Sequence, residues 1–414
     1  MTFETLTIEE ATERLIDYRG KTPPKTESGI RLVTAKVIKD GRILDTPAEF
    51  ISSDFYDEWM RRGLPQPLDV LITTEAPLGE VAILHGSEKV ALAQRVILLR
   101  ARPGQIDPRF LYYALQGEFA QGELRARASG TTVSGIKQSE LRQARIPTFS
   151  LAVQRRIVDV LSALDDLFDN NLRRIRILED MVRALYRDWF VDCRVSEGEP
   201  QTSQERLPAG WSLARLGDLA EEKRRNVSKG SLQAEARYVG LEHIPRRSLA
   251  LDAWEALTEL GSNKLEFKKG EVLFGKIRPY FHKVSVAPFD GVCSADTIVI
   301  RAMRPDDYGL VVATVSSDAF VQYATVTSNG SKMPRANWSV LRDYPVAVPG
   351  KVLALRFTDF VINAVSLQQN LVFQNMSLRQ TRELLLPRLL SGQLSLEETG
   401  DIRVLVAESG IVPR

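Results

Sequence analysis

The stretch LAVQRRIVDVLSALDDLFDNNLRRIRILEDMVRALYRDWF, residues 151–190, decides how this chain is read. Its apolar positions are Ile157, Leu161, Leu164, Phe168, Ile175, Leu178, Val182, Leu185 and Trp189, with Asn171 taking one step of the series. The steps alternate four and three, which is the spacing of a coiled-coil seam. The opposite face carries Arg155, Arg156, Asp159, Asp165, Asp166, Arg173, Arg174, Arg176 and Asp180, so it faces water or a polar partner. The pattern predicts a helix from about Leu151 to Asp192, a rod of roughly 60 Å at 1.5 Å per residue. The same spacing returns about 200 residues later in Phe357, Val361, Ala364, Gln368, Leu371, Asn375, Leu378, Arg382, Leu385 and Leu389. Polar seam residues cost stability and fix register. The two helices are therefore expected to pair antiparallel within one chain, with the polar steps near the middle of the rod. The competing reading pairs each helix with another chain.

The repetition extends beyond the helices. Asp69-Val70-Leu71-Ile72 followed by Pro77 matches Glu271-Val272-Leu273-Phe274 followed by Pro279. Ala93 to Leu98 matches Ala295 to Ile300, and Gly130, Ser139, Leu141 and Arg142 match Gly330, Ser339, Leu341 and Arg342. A period this long marks duplicated domains, since solenoid repeats are about 20–50 residues. Apolar runs bounded by Gly, Pro and charge, such as Val90–Leu99 and Thr297–Ile300, read as strands. Short helices are expected around Ile8–Tyr18, Pro108–Phe119 and Ser317–Thr325. The expected fold class is α+β: two repeated mixed α/β domains joined by two long antiparallel coiled-coil helices. The boundaries are a first domain over 1–147, its helix over 148–193, a polar Gly- and Pro-containing linker over 194–206, a second domain over 207–349, its helix over 350–395 and a tail over 396–414.

At 414 residues, 44% of them hydrophobic, the chain can form two or three domains with real cores. The net charge of +2 excludes a global basic field, so a nucleic-acid surface has to come from local clusters of Lys and Arg. Two cysteines, Cys193 and Cys293, exclude a disulfide framework and fit a reducing compartment. The opening Met-Thr-Phe-Glu-Thr is not a signal peptide, and no apolar run nears the roughly 18 residues that span a bilayer. A soluble, cytoplasmic protein with no membrane partner is expected.

Familiar catalytic patterns are missing. His85, His243 and His282 are scattered and form no zinc spacing with the cysteines. Gly20-Lys21-Thr22 ends like a phosphate loop, but Ile16 stands where the first glycine belongs. Glu266-Phe267-Lys268 resembles half of a nuclease metal motif, and its first-repeat match, Leu64-Pro65-Gln66, has neither carboxylate nor lysine. No metal and no catalytic residue are assigned. What is present is a set of cations and polar groups in predicted loops. The first repeat offers Lys21, Thr22, Lys25, Lys36, Lys39, Gln94 and Arg95. The second offers Lys223, Arg224, Arg225, Lys229, Arg246, Arg247, Lys276, Arg278, Lys283 and Asn337. Lysine and arginine on loops neutralise phosphates, and arginine also reads guanine through paired hydrogen bonds.

The chain resembles the specificity (S) subunits of type I restriction–modification systems. The resemblance is carried by Ser129-Gly130-Thr131-Thr132, Ile136, Leu141, Ile146, Pro147, Gln154 and Ile157, and by Asn329-Gly330-Ser331, Leu341 and Pro349 in the second copy. Leu216-Gly217-Asp218-Leu219-Ala220 resembles the opening of a recognition domain, and Leu384-Leu385-Leu386-Pro387-Arg388-Leu389-Leu390-Ser391-Gly392 resembles the family's ending. Ala354 departs from the glutamine that the helix pattern suggests, and the second seam is unusually polar. The resemblance implies a non-catalytic subunit whose two target-recognition domains each read half of a split double-stranded DNA target. It implies helices that set the spacer and dock two methyltransferase (M) subunits, and motor-nuclease (R) subunits that join them. S-adenosylmethionine, ATP and magnesium are implied for those partners, with no cofactor in this chain. The alternatives are an autonomous two-headed DNA-binding or scaffold protein, and an enzyme acting through Glu266 and Lys268.

Overall fold

A computed structural model describes residues 4–18, 22–130, 134–194, 207–227, 236–257, 263–330 and 332–394. Most of the expected linker and the whole expected tail lie outside the described residues, as do Thr131, Thr132 and Ser331 of the quoted motifs. The chain forms two compact units. One comprises residues up to Asp166 together with those from Leu378, the other Leu167 to Ser377. The division thus falls inside both long helices, Leu151–Tyr186 and Lys351–Leu390, rather than at their ends.

In the first unit a four-stranded antiparallel sheet has the order Thr12–Asp17, Val96–Ala101, Val70–Thr74, Leu78–Ile83. A second sheet orders Phe50–Ile51, Ile30–Val33 and Val90–Leu92, the last two parallel. Glu4–Thr7 pairs with Arg145–Thr148 and brings the start of the unit to the foot of the first long helix. The expected helix over Ile8–Tyr18 is corrected here. Only Ile8–Ala11 is helical, and Thr12–Asp17 is an edge strand. The turn is closed at both ends. Thr7 N–H donates to the Glu10 carboxylate at 2.8 Å and Glu10 N–H to Thr7 Oγ1 at 3.2 Å, while Thr12 Oγ1 donates to the Ile8 carbonyl at 2.7 Å. Beyond it, sheet pairing buries Ile16. The run Val90–Leu99 is likewise two strands in two sheets, broken by a turn in which Val96 N–H donates to the Ala93 carbonyl.

The second unit repeats this plan. Its antiparallel sheet orders Ala220–Glu222, Thr297–Ala302, Val272–Gly275 and Val284–Val286, the same succession of equivalents. Ser212–Arg215 pairs with Pro345–Val348 as Glu4–Thr7 does with Arg145–Thr148. The other sheet is larger, with five strands among the described residues, and keeps one parallel pair, Ala236–Val239 with Gly291–Ser294.

Both units bury the same kind of ion pair. Asp69 accepts from Arg100 Nε and Nη2 at 2.8 and 2.7 Å and from Gln66 N–H at 2.7 Å. Its equivalent, Glu271, accepts from Arg301 Nε and Lys268 N–H, each at 2.7 Å, and also pairs with Arg225. The pairing holds the Arg100 guanidinium above the usual arginine range, through its hydrogen bonds to Asp69.

Within each unit the long helices run antiparallel. In the first, Ile157 and Leu161 share a core with Leu385 and Leu389, and Leu164 packs against it. In the second, Ile175 clusters with Leu371, and Val182 with Ala364, Val361 and Phe357, with Leu185 and Trp189 packed alongside. Phe168 is buried, and Leu178 and Leu378 are half-buried. The polar steps of the second seam are mostly explained by partners. Asn171 Nδ2 donates to Asn375 Oδ1 at 3.0 Å. Arg382 Nε donates to Asp165 at 2.8 Å. Gln368 differs: it is buried, and neither amide atom has a partner among the described residues.

The missing glutamine at Ala354 is also explained. In the first unit, Gln154 is fully buried, accepts from Asp107 N–H at 2.9 Å and donates to the Gln105 and Phe149 carbonyls. In the second, Thr358, one turn beyond Ala354, accepts from Gly309 N–H and donates to the Asp306 carbonyl at 2.7 Å. A hydroxyl nearer the helix backbone replaces the longer amide.

Two stability measurements follow. Asp69→Ala strands a mostly buried arginine and should lower unfolding free energy by about 3 kcal/mol in urea titration. Gln368→Met removes two unsatisfied buried polar atoms at nearly constant volume and should raise it by about 1–3 kcal/mol; a loss would show that the amide is satisfied in solution.

Candidate nucleic-acid interface

The cations singled out from the sequence separate into two groups. Some are already neutralised by carboxylates of the protein. Lys25 pairs with Glu49 at 2.9 Å, Arg95 with Glu75 at 2.7 Å, Arg224 with Glu222 at 2.9 Å and Arg247 with Asp318 at 2.5 Å. Lys223 pairs with Glu221, and Arg225 with buried Glu271. Arg225 is thus an anchor for its strand. The second group, Lys36, Lys39, Arg246, Lys276 and Arg278, has no ion pair among the described residues. Lys283 donates to the Leu241 carbonyl, and burial, followed by the nearby Arg246 charge, holds its ammonium below the usual lysine range. Thr22 is exposed and Gln94 half-buried. Asn337 caps the helix Trp338–Leu341 by accepting from Ser339 N–H at 3.1 Å. Lys21 and Lys229 lie outside the described residues.

Local topology assembles the unpaired cations of the second unit. The segment GKIRPYFHK, residues 275–283, leaves one strand of the antiparallel sheet and returns as the next. It lies between two other loops. Arg246 bridges to Lys283 on one side, and Ile277 bridges to Arg335 on the other. The Ala336 N–H donates to the Lys276 carbonyl at 2.9 Å, and Arg278 N–H to the Pro334 carbonyl at 2.8 Å. Arg246 stacks over the Phe281 ring at 4.2 Å from its centroid. The result is a basic, aromatic loop cluster. Sequence reading found its cations but passed over Tyr280, Phe281 and Arg335; the signal was two aromatics placed between Arg278 and Lys283.

The equivalent place in the first unit has the same frame and different contents. Glu75 bridges to Gly135 as Ile277 does to Arg335, and Ile136 N–H donates to the Thr74 carbonyl as Ala336 does to Lys276. Strand pairing shifts the sequence match of Ala93–Leu98 with Ala295–Ile300 by one residue, so the second-unit equivalent of Arg95 is Asp296. Arg95 pairs with Glu75, whereas Asp296 pairs with Arg335 at 3.7 Å. The charge at the shared strand-end position is reversed, and its partner moves from Glu75 to Arg335 on the neighbouring loop. The connecting loop is also shorter in the first unit, where Leu78 already begins the returning strand. The cations of the first unit sit elsewhere: Lys36 precedes, and Lys39 belongs to, the small hairpin Ile38–Lys39 with Arg42–Ile43.

One group among the described residues brings three ligand-type atoms within 4.8 Å of one another: Glu242, His243 and Glu255. The Gly240 N–H donates to His243 Nδ1 at 3.0 Å, which leaves the ring proton on Nε2. The free edge of the ring is then a donor aimed by its own backbone, poorly suited to a cation. The Glu266 and Lys268 side chains pair with each other at 2.5 Å, and Lys268 also meets Asp290 at 3.3 Å. These half-exposed side chains neutralise one another beside a strand, Lys264–Phe267, that lies inside its sheet. No helix among the described residues is long and apolar enough to cross a membrane.

The two groups of cations differ in a measurable way. Removing an unpaired cation that meets phosphate should reduce the slope of log affinity against log salt by about 1 per residue on nonspecific duplex. Lys276→Ala and Arg246→Ala should do so, while Arg224→Ala should leave the slope nearly unchanged.

Comparison with known proteins gives a consistent answer. Residues 64–179 match the family described as Type I restriction modification DNA specificity domain. The chain is 24% identical over 343 residues to the type I restriction enzyme MjaIX specificity subunit of Methanocaldococcus jannaschii, covering 80% of this chain and 78% of that protein. It is 22% identical over 296 residues to the type I restriction enzyme EcoDI specificity subunit of Escherichia coli, covering 66% and 65%. The crystal structure of the type I restriction-modification system S subunit from M. genitalium shares the fold, with a TM-score of 0.60 at 17% identity over 94% of this chain and 96% of that one.

Proposed function

We propose that this chain, whose residues 64–179 match the type I restriction modification DNA specificity domain, is the non-catalytic specificity subunit of such a system, each compact unit reading one half of a split duplex target. The observation that carries this reading is the pairing of a repeated scaffold with unlike loops. Both antiparallel sheets keep one strand succession, both units bury a carboxylate–arginine pair at the same place, and the loops at equivalent strand ends differ in length and charge. Two sites of one architecture and different surface chemistry suit two half-sequences on one duplex.

In this reading the chemistry is borrowed. Two methyltransferase subunits dock on the long helices and modify adenine with S-adenosylmethionine. Motor-nuclease subunits join them, using ATP and magnesium to cut unmodified DNA. This chain contributes the address. The polar outer face of the first helix, with Arg155, Arg156, Arg173, Arg174 and Arg176 exposed, supports a protein-facing role. The length of the two helices sets the number of unread base pairs between the half-sites.

Mapping methylated adenines in cells that express the chain with its methyltransferase tests this reading. The wild type should yield a two-part motif with a fixed spacer. One heptad inserted into each long helix adds about 10 Å of rise and should lengthen the spacer by about three base pairs, leaving both half-sequences intact. A changed half-sequence with an unchanged spacer would contradict the assignment. Tight binding to a split site by the chain alone, with no methylation on adding the partner, would favour the two-headed scaffold.

A further inference from the structure

We propose that the turn Arg278–Phe281 is the base-reading element of the second unit, with the Arg278 guanidinium taking the edge of a guanine and the Tyr280 ring packing on the neighbouring base pair. The inference deepens the specificity reading and rests on it. It begins with backbone conformation. Arg278 and His282 have φ of 50° and 53°, a region that side-chain-bearing residues avoid, and they bracket the turn Pro279–Phe281. Such conformations persist where the surroundings over-determine them, and they gather at ligand contacts.

The surroundings here are specific. Phe281 N–H donates to the Arg278 carbonyl at 2.9 Å, and His282 N–H to that of Pro279 at 2.8 Å. The buried His282 ring donates through Nε2 to the Ser316 carbonyl at 2.9 Å and faces Asp318 at 3.4 Å. Arg247 N–H donates to the His282 carbonyl at 2.8 Å while its guanidinium holds Asp318. The base of the turn is thus locked from three sides. Its tip is not covered: Tyr280 is 51% exposed, although tyrosine is a large, partly apolar residue.

The tip has the chemistry of a duplex reader. Arg246 lies 4.2 Å and Arg278 6.0 Å from the Phe281 centroid, and Tyr280 meets the same ring edge-on at 4.8 Å. A guanidinium held near an aromatic ring is pre-oriented and keeps its donor edge outward. Arg278 makes no ion pair among the described residues, and its buried Nε has no acceptor there. A guanidinium with no acceptor among the described residues fits an acceptor pair supplied from outside to its terminal N–H groups, which guanine offers at O6 and N7. Phosphate offers oxygens as well, but a neighbouring exposed ring has use only beside bases. The first unit keeps the left-handed residue before a proline, Ala76 with φ of 49°, but passes from Pro77 straight into the strand Leu78–Ile83, with no arginine and no aromatic pair in the turn.

The experiment selects full-length protein against a duplex library with randomised positions and sequences the bound pool. Arg278→Ala and Arg278→Lys should both lose preference for guanine at one position of one half-site, by between about 5-fold and about 100-fold. Tyr280→Ala should relax the adjacent position, and the other half-site should stay unchanged in all three. Lysine restoring the wild-type preference would reduce Arg278 to a phosphate contact and overturn the proposal. So would an unchanged pool, or both half-sites fading together. A wild-type pool with no two-part motif would instead remove the specificity reading itself, and this inference with it.

Discussion

The first unit cannot close its core without the far end of the chain. Leu385, Leu386, Leu389 and Leu390 are buried in the same cluster as Phe110, Leu111, Ile157 and Leu161. The approach is tight enough that a side chain at Gly117 would sit 2.5 Å from Leu390 Cδ1. The second unit uses the same device at Gly309, where an added Cβ would lie 2.7 Å from the Thr358 Cα. Each unit thus reserves a glycine for the helix that seals it. Burial of this kind is non-directional and sums over many apolar atoms, so the helix seam is at once a connector and a core.

Within that closure, each unit separates what is kept from what varies. Strand succession, the terminal strand pair and the buried carboxylate–arginine pair recur. The loops that leave the strand ends do not. A buried ion pair is a weak source of net stability but penalises any arrangement that leaves one charge alone, so it fixes how the strands meet. With the scaffold fixed, a loop can exchange Glu75 and Arg95 for Ile277 and Asp296 without disturbing the sheet. That division suits the proposed function, in which two addresses are offered on one architecture.

Much of this was legible in the sequence because periodicity is a many-residue signal. The heptad steps from Ile157 to Trp189 and from Phe357 to Leu389 located both helices, and the repeated Val70–Ile72 and Val272–Phe274 runs located equivalent strands. Short elements were not legible. Thr12–Asp17 reads as a continuation of the helix turn before it, and only pairing with Val96–Ala101 makes it a strand. The cation list was too generous for a related reason. Composition shows that Arg224 and Arg225 are basic but not that Glu222 and Glu271 meet them. Tyr280 and Phe281 passed unnoticed because their meaning lies in the loops beside them, which are distant in sequence. Gln368 reads as a weak seam residue, and neither amide atom finds a partner among the described residues.

The central claim is that the two long helices pair within one chain. Asn171 and Asn375 meet across that seam at 3.0 Å, so cysteines placed there test it directly. In a background with Cys193 and Cys293 replaced by serine and alanine, an Asn171→Cys, Asn375→Cys variant is oxidised at several protein concentrations and resolved by non-reducing electrophoresis. The account predicts a cross-linked monomer at every concentration. Covalent dimers whose yield climbs with concentration, with no internally linked monomer, would contradict it.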